Sequence, residues 1–191
     1  MISLNEMMAG LYGALRLARA DANGMRWFNT TPDGFWRSFW AAALVAPMFA
    51  LLLWIRYESE GMTVAPLRFA LLELVSYVVA WTLFPLLMFY LAQVVERERQ
   101  YYGYMVAYNW STVWQNLVYL PLAMVSEMGV LSFAAASTLS VAVLAAVFVY
   151  IWFITRTALQ VNALVAAGIV AVDFLISIFL NIVTDGLIHT R

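Results

Sequence analysis

The residues best suited to chemistry lie inside apolar stretches. Asp173, Ser177, Asn181 and Asp185 recur at four-residue steps, so on a helix they form one polar stripe. Asn109, Thr112, Asn116 and Tyr119 follow a three-four-three rhythm, with Ser111 and Gln115 as a neighbouring pair. Amides and hydroxyls of this kind bind and orient; a carboxylate adds charge. Two acids fall within apolar runs, Asp173 and Glu73. A charge in such a place is costly and marks either function or a satisfied structural pair. Asp173 lies about ten residues into its run, about 15 Å along a helix. No Arg or His is expected at a depth that would pair directly with either acid, so Asp173 is expected to be protonated or held by hydrogen bonds.

The candidate seam is therefore Asn109, Gln115, Asn116, Asp173, Ser177 and Asn181, with Glu73 as a second candidate intramembrane acid. Asn116 and Asp173 are each about midway along their helices and are expected to face each other. Two uses fit such a seam. One is a polar pathway or small-ligand site. The other is hydrogen bonding between helices, worth on the order of 1 kcal/mol per bond.

Other chemistries are excluded by what the chain lacks. There is no Cys, and His189, almost at the C-terminus, is the single His. That removes thiol nucleophiles and the usual zinc and haem ligand sets. No Gly-x-Ser-x-Gly elbow and no Gly-rich phosphate loop occurs. No catalytic residue, metal or cofactor is expected. A net charge of −1 leaves no basic face for nucleic acid.

Helices long enough to carry the seam must come from the apolar runs. Hydrophobic residues make up 65% and charged residues 11%, against roughly half and a quarter in soluble domains. The expected class is an all-α integral membrane protein whose main partner is the lipid bilayer. Five transmembrane helices are expected, at about 38–55, 67–94, 102–125, 130–154 and 163–188. Pro47, Pro85 and Pro121 lie within three of them. Ala134, Thr138, Ala142 and Ala146 on the fourth, and Ala163, Ala167 and Ala171 on the fifth, form small-xxx-small stripes that allow close helix approach.

Residues 1–30 form a separate N-terminal element ahead of the membrane domain at 31–191. Leu4, Met8, Leu11 and Leu15 recur at helical spacing, away from Glu6, Arg16 and Arg19. An amphipathic helix is expected, lying on the membrane surface or packed on the bundle. Thr31-Pro32-Asp33-Gly34 reads as a helix start: Thr31 caps, Pro32 suits the first turn, and Asp33 complements the dipole. Trp27, Trp36 and Trp40 sit where an interfacial aromatic belt belongs. The first residues lack the basic segment and cleavage site of a signal peptide.

Arginine placement sets the expected orientation. Arg16, Arg19, Arg26, Arg37, Arg97, Arg99 and Arg156 fall on the N-terminal side, and Arg56, Arg68 and Arg191 on the other. The positive-inside rule then places the N-terminus in the cytosol and the C-terminus in the periplasm.

Gly34-Phe35-Trp36, preceded by the acidic Asp33, leads into the first span. With the five-span layout, this resembles the Yip superfamily of Rab-GTPase-interacting membrane proteins and its bacterial relatives. The eukaryotic element at this place reads acidic-Leu-Tyr-Gly-Pro-Phe-Trp; here the Leu-Tyr pair and the Pro before Phe are missing. The layout likeness spans about residues 30–190. The resemblance implies a non-enzymatic scaffold or partner-binding protein, with no catalytic residues to carry over. The leading expectation is such a scaffold in a bacterial inner membrane, binding a membrane-protein partner or a second copy through its cytosolic face. The alternatives are a small-solute or ion transporter using the Asn116–Asp173 seam, and an accessory subunit of a larger membrane complex.

Overall fold

The computed structural model describes residues 2–62 and 64–189. Its described residues are helical, with no strand. α1 runs Leu4–Ala18 and is followed by a 3-10 turn at Ala22–Trp27. α2 is Pro32–Ser38, α3 Trp40–Ser59 and α4 Pro66–Val94. A short 3-10 turn, Glu98–Gln100, leads into α5, Tyr101–Glu127; α6 is Phe133–Leu159 and α7 Ala163–His189.

The helix starts follow their local chemistry. Ser3 accepts from the Glu6 amide, Thr31 from Gly34, Ser132 from Ala135 and Asn162 from Val165, each at 2.9–3.3 Å. Each bond satisfies one of the amide groups a first turn leaves free. α6 stops where Gln160 enters the left-handed region, at φ 54°. α3 reaches Ser59, one turn past the expected end at 55, and α6 reaches Leu159 rather than 154.

Four stretches are long and apolar enough to cross a membrane: Pro32–Ser59, Pro66–Val94, Phe133–Leu159 and Ala163–His189. α5 is as long as α6 and α7, at 27 residues, and falls outside this set. Its polar run from Tyr108 to Asn116 lowers its hydropathy. Burial explains why that run is tolerated. Ten residues of α5 are buried, against six in α4 and five each in α6 and α7. α5 is the central helix, packed by α1, α2, α3 and α6, and a sheathed helix need not be apolar all round.

The long helices form an open ring in the order α3, α5, α6, α7, α4, with α1 and α2 packed on α5. α3 and α4 are held apart and joined by long side chains. Tyr77 donates to the Ala42 carbonyl at 2.7 Å and stacks on Phe49, and Tyr57 meets Phe69. α5 and α7 are likewise separated. The space between these four helices is the site described below.

α1 is packed on the flank of α5 and α6, and its docking face differs from the apolar stripe of the sequence. The contact side is Gly10, Gly13, Ala14 and Leu17. Gly10 lies under the Trp110 ring so closely that a Cβ would sit 2.6 Å from it, and Gly13 faces Gly24. Trp114 Nε1 donates to the Leu11 carbonyl at 2.9 Å, and the Tyr150 hydroxyl to that of Ala14 at 2.6 Å. Leu4 and Met8, two of the four stripe residues, are 72% and 60% exposed. The charged residues are tied locally: Glu6 pairs with Arg37 at 2.9 Å and accepts from Asn29, and Arg16 pairs with Asp21.

The small-residue stripes also sit otherwise than expected. Ala134, Thr138, Ala142 and Ala146 are exposed, as are Ala163, Ala167 and Ala171. They do not bring the polar helices together. Small side chains permit close approach but do not choose a partner; the aromatic and polar face of α5 made that choice here.

Candidate functional site

The α3 face turned inward carries Val45, Phe49, Leu52 and Arg56; α4 supplies Glu73, Ser76, Tyr77 and Phe84. α5 contributes Tyr108, Asn109, Thr112, Asn116 and Tyr119, and α7 Asp173, Ser177, Asn181 and Asp185. Together they enclose a cavity of about 530 Å³. Its mouth lies where α3 and α5 finish and α4 begins. Its closed end is the Tyr108–Asp173 pair. From Asp185 to Asp173 is three turns of α7, about 18 Å.

At the closed end, the Tyr108 hydroxyl donates to Asp173, 2.9 Å from Oδ1 and 3.0 Å from Oδ2. This bond bridges α5 and α7. Phe84 covers Tyr108, with ring centroids 4.8 Å apart. Asp173 is 7% exposed. Beside it, Asn109 is 1% exposed and donates Nδ2–H to Ser38 Oγ at 2.8 Å, while that hydroxyl donates to the Phe35 carbonyl. The Asn109 Oδ1 is buried with no hydrogen-bond partner.

Near the mouth, Thr184 of α7 and Ser76 of α4 are joined by a hydrogen bond of 2.8 Å. At the mouth, Arg56 is the hub. Its guanidinium reaches Glu60 and Asp185 at 3.0 Å and Glu73 at 3.7 Å, tying α3, α7 and α4. Ser59 meets Glu127 of α5 at 3.4 Å. Burying Glu73, 5% exposed, without this partner would carry the full cost of an isolated charge.

The cavity gathers Asn109, Asn116, Asp173, Ser177 and Asn181 of the candidate seam, and Glu73 with them. Gln115 is not among them. It donates to Ser111 Oγ at 3.0 Å on another face of α5. Asn116 and Asp173 share the cavity but do not close on each other. Asp173 closes on Tyr108, two turns or about 12 Å from Asn116, and Asn116 donates to the Thr112 carbonyl of its own helix. The expectation that no Arg reaches Glu73 also fails. α3 stays helical past residue 55, and that extra turn carries Arg56 to it.

Tyr108, which opens the polar run of α5, and Arg56 are cavity positions that lay outside the candidate seam. Tyr108 sits one position before Asn109 and a turn before Thr112, so the polar rhythm of α5 already contained it. Arg56 was legible only if the first long helix was allowed to continue. Arg191, counted for orientation, lies outside the described residues. Compared with protein-family models, with curated proteins and with solved structures, the chain matches none.

The cavity wall has a marked charge. Glu60, Glu73, Glu127, Asp173 and Asp185 line it with the single guanidinium of Arg56. Among the described residues no group of three or more His, Cys, Asp or Glu converges as a metal site.

Proposed function

We propose that the protein is a membrane-embedded binding and transport protein for a small polar solute, which enters the cavity at its mouth and meets Asp173 at its closed end. The observation that carries this is the cavity itself: about 530 Å³ of space inside a bundle of apolar helices, its mixed wall studded with carboxylates, amides and hydroxyls. Its size falls within the range of small-molecule sites, roughly 300–1,000 Å³. Helices packed only for stability would close such a space, because voids and unmet polar groups both cost free energy.

In this reading α5 is a fifth membrane-crossing helix, polar because its neighbours shield it from lipid. The N-terminus faces the cytosol of a bacterium, with α1 packed on the flank of α5 and α6, and the mouth opens to the periplasm. The distribution of arginines supports that orientation. A Yip-like ancestry remains compatible with the helix order, and Phe35 of the Gly34-Phe35-Trp36 element packs against Tyr101 and Tyr102. The scaffold role would use the cytosolic face, residues 1–37 with the 96–101 and 155–162 turns; the N-terminal part of that face is anchored on the bundle through Leu17, Phe28 and Phe35.

Purified protein in proteoliposomes tests the proposal. Uptake of small charged and neutral solutes is measured for the wild type and for Asp173→Asn, which keeps an acceptor for Tyr108. Uptake should fall at least tenfold while circular dichroism stays unchanged. Flux unaltered by both Asp173→Asn and Asn116→Leu would sink the transport reading.

A further inference from the structure

We propose that the solute is a protonated primary amine, its ammonium at Asp173 and its carbon chain among the aromatic rings of the cavity wall. This deepens, and rests on, the solute-binding reading above.

The polarity of the wall's hydrogen bonds points to a donor ligand. The Tyr77 hydroxyl donates to Ala42, Tyr108 to Asp173, Thr112 to the Tyr108 carbonyl and Ser177 to the Asp173 carbonyl. Their hydrogens are spent inside the protein. The amides at 109 and 116 are fixed in the same sense. Asn116 Nδ2 faces a carbonyl, which can only accept, and Asn109 Nδ2 faces a Ser38 hydroxyl whose own hydrogen is committed. These bonds fix the orientation of both amides and leave their oxygens as open acceptors, with one N–H of each amide already spent. At Asn109 that oxygen is buried and unpartnered beside the closed end. An unmet buried acceptor is unfavourable until a donor arrives.

Charge and shape agree. Five carboxylates against one guanidinium draw cations into the cavity. A bare metal ion lacks a converging ligand set among the described residues, and the volume exceeds what an ion fills. Phe49, Tyr77, Trp81, Phe84 and Tyr108 line the same space, and aromatic faces attract ammonium groups while accommodating an alkyl chain.

The test uses full-length protein in nanodiscs, titrated calorimetrically with n-butylammonium, tetramethylammonium, n-butanol and butyrate. n-Butylammonium should bind saturably, roughly tenfold or more tighter than tetramethylammonium, which has charge but no N–H. Butanol and butyrate should show no saturable binding. Asp173→Asn should lose the n-butylammonium signal. The chain has no Cys, so Ser177→Cys gives a unique thiol and a readout independent of the Asp173 variant's folding. n-Butylammonium should slow its alkylation, and butanol should not. Equal binding of tetramethylammonium, or no protection of the thiol, overturns the proposal. Failure with amines, while a neutral solute is still taken up in an Asp173-dependent way, overturns the ligand class and leaves the transport reading standing. A thiol at 177 that water-soluble reagents never reach removes both.

Discussion

Tyr108 and Asp173 form a pair whose value lies in what each would lose alone. Asp173 is buried, and the Tyr108 hydroxyl is its hydrogen-bond donor. Tyr108→Phe keeps the ring against Phe84 and removes the donor. Leaving a buried acceptor unmet costs about 1–3 kcal/mol, so thermal unfolding in detergent should show a loss of that size. A variant as stable as the wild type would mean the bond does not hold the closed end together. Asp21 shows the opposite case, a carboxyl in reach of solvent at the protein surface. The Arg16 guanidinium, helped by the Asn23 amide, holds its carboxyl below the ordinary value of 3.8. A carboxyl lowered in the folded state contributes stability fully above its unfolded value and loses it as pH falls through the folded one. The protection factors of the α1 C-terminal amides, corrected for the intrinsic exchange rate, should therefore stay flat from neutral pH to about 3.8 and fall below it. In Asp21→Asn that acid step should vanish.

The helices divide their faces by a rule that the apolar pattern alone does not express. α1 docks by glycine and alanine under two tryptophans, and exposes Leu4 and Met8. Close approach here gains two bonds from large side chains to backbone carbonyls, Trp114 to Leu11 and Tyr150 to Ala14. Gly10→Ala places a Cβ about 2.6 Å from the Trp110 ring, a clash the helix relieves by moving away. Overpacking of this kind costs about 1–3 kcal/mol. Limited proteolysis should cut after Arg16 and Arg19 faster in this variant, with the α3–α7 core still protected. An unchanged digestion pattern would show that α1 does not depend on this contact.

At the scale of the molecule, the ring of helices is open between α3 and α4, α5 and α7 stand apart across the cavity, and side chains rather than backbones span these gaps. That is how a bundle of apolar helices keeps a polar interior. The outer surface shows the complementary character, with Leu175, Phe179 and Ile182 of α7 exposed. Asn181→Cys, on the cavity wall, and Phe179→Cys, on the outward face, separate the two environments. In membranes, a water-soluble thiol reagent should label residue 181 readily and residue 179 at least tenfold more slowly. Similar rates at both would mean that no water-filled space exists inside the bundle.

Much of this was legible in one dimension, for a physical reason. Hydropathy over a helix length and capping chemistry are local, so the four apolar spans, the start of α2 at Thr31-Pro32 and the polar rhythms of α5 and α7 follow from neighbouring residues. Depth along a helix is local too, which is why Asp173 stood out. What only the tertiary structure decided is how the helices slide and rotate against one another. Two turns of slippage gave Asp173 to Tyr108 instead of Asn116, and rotation turned Gln115 out of the cavity and the alanine stripes to the surface. One further turn of α3 brought Arg56 to Glu73. Register and rotation depend on the summed contacts of aromatic rings from distant segments, and no periodicity within a single helix encodes that sum.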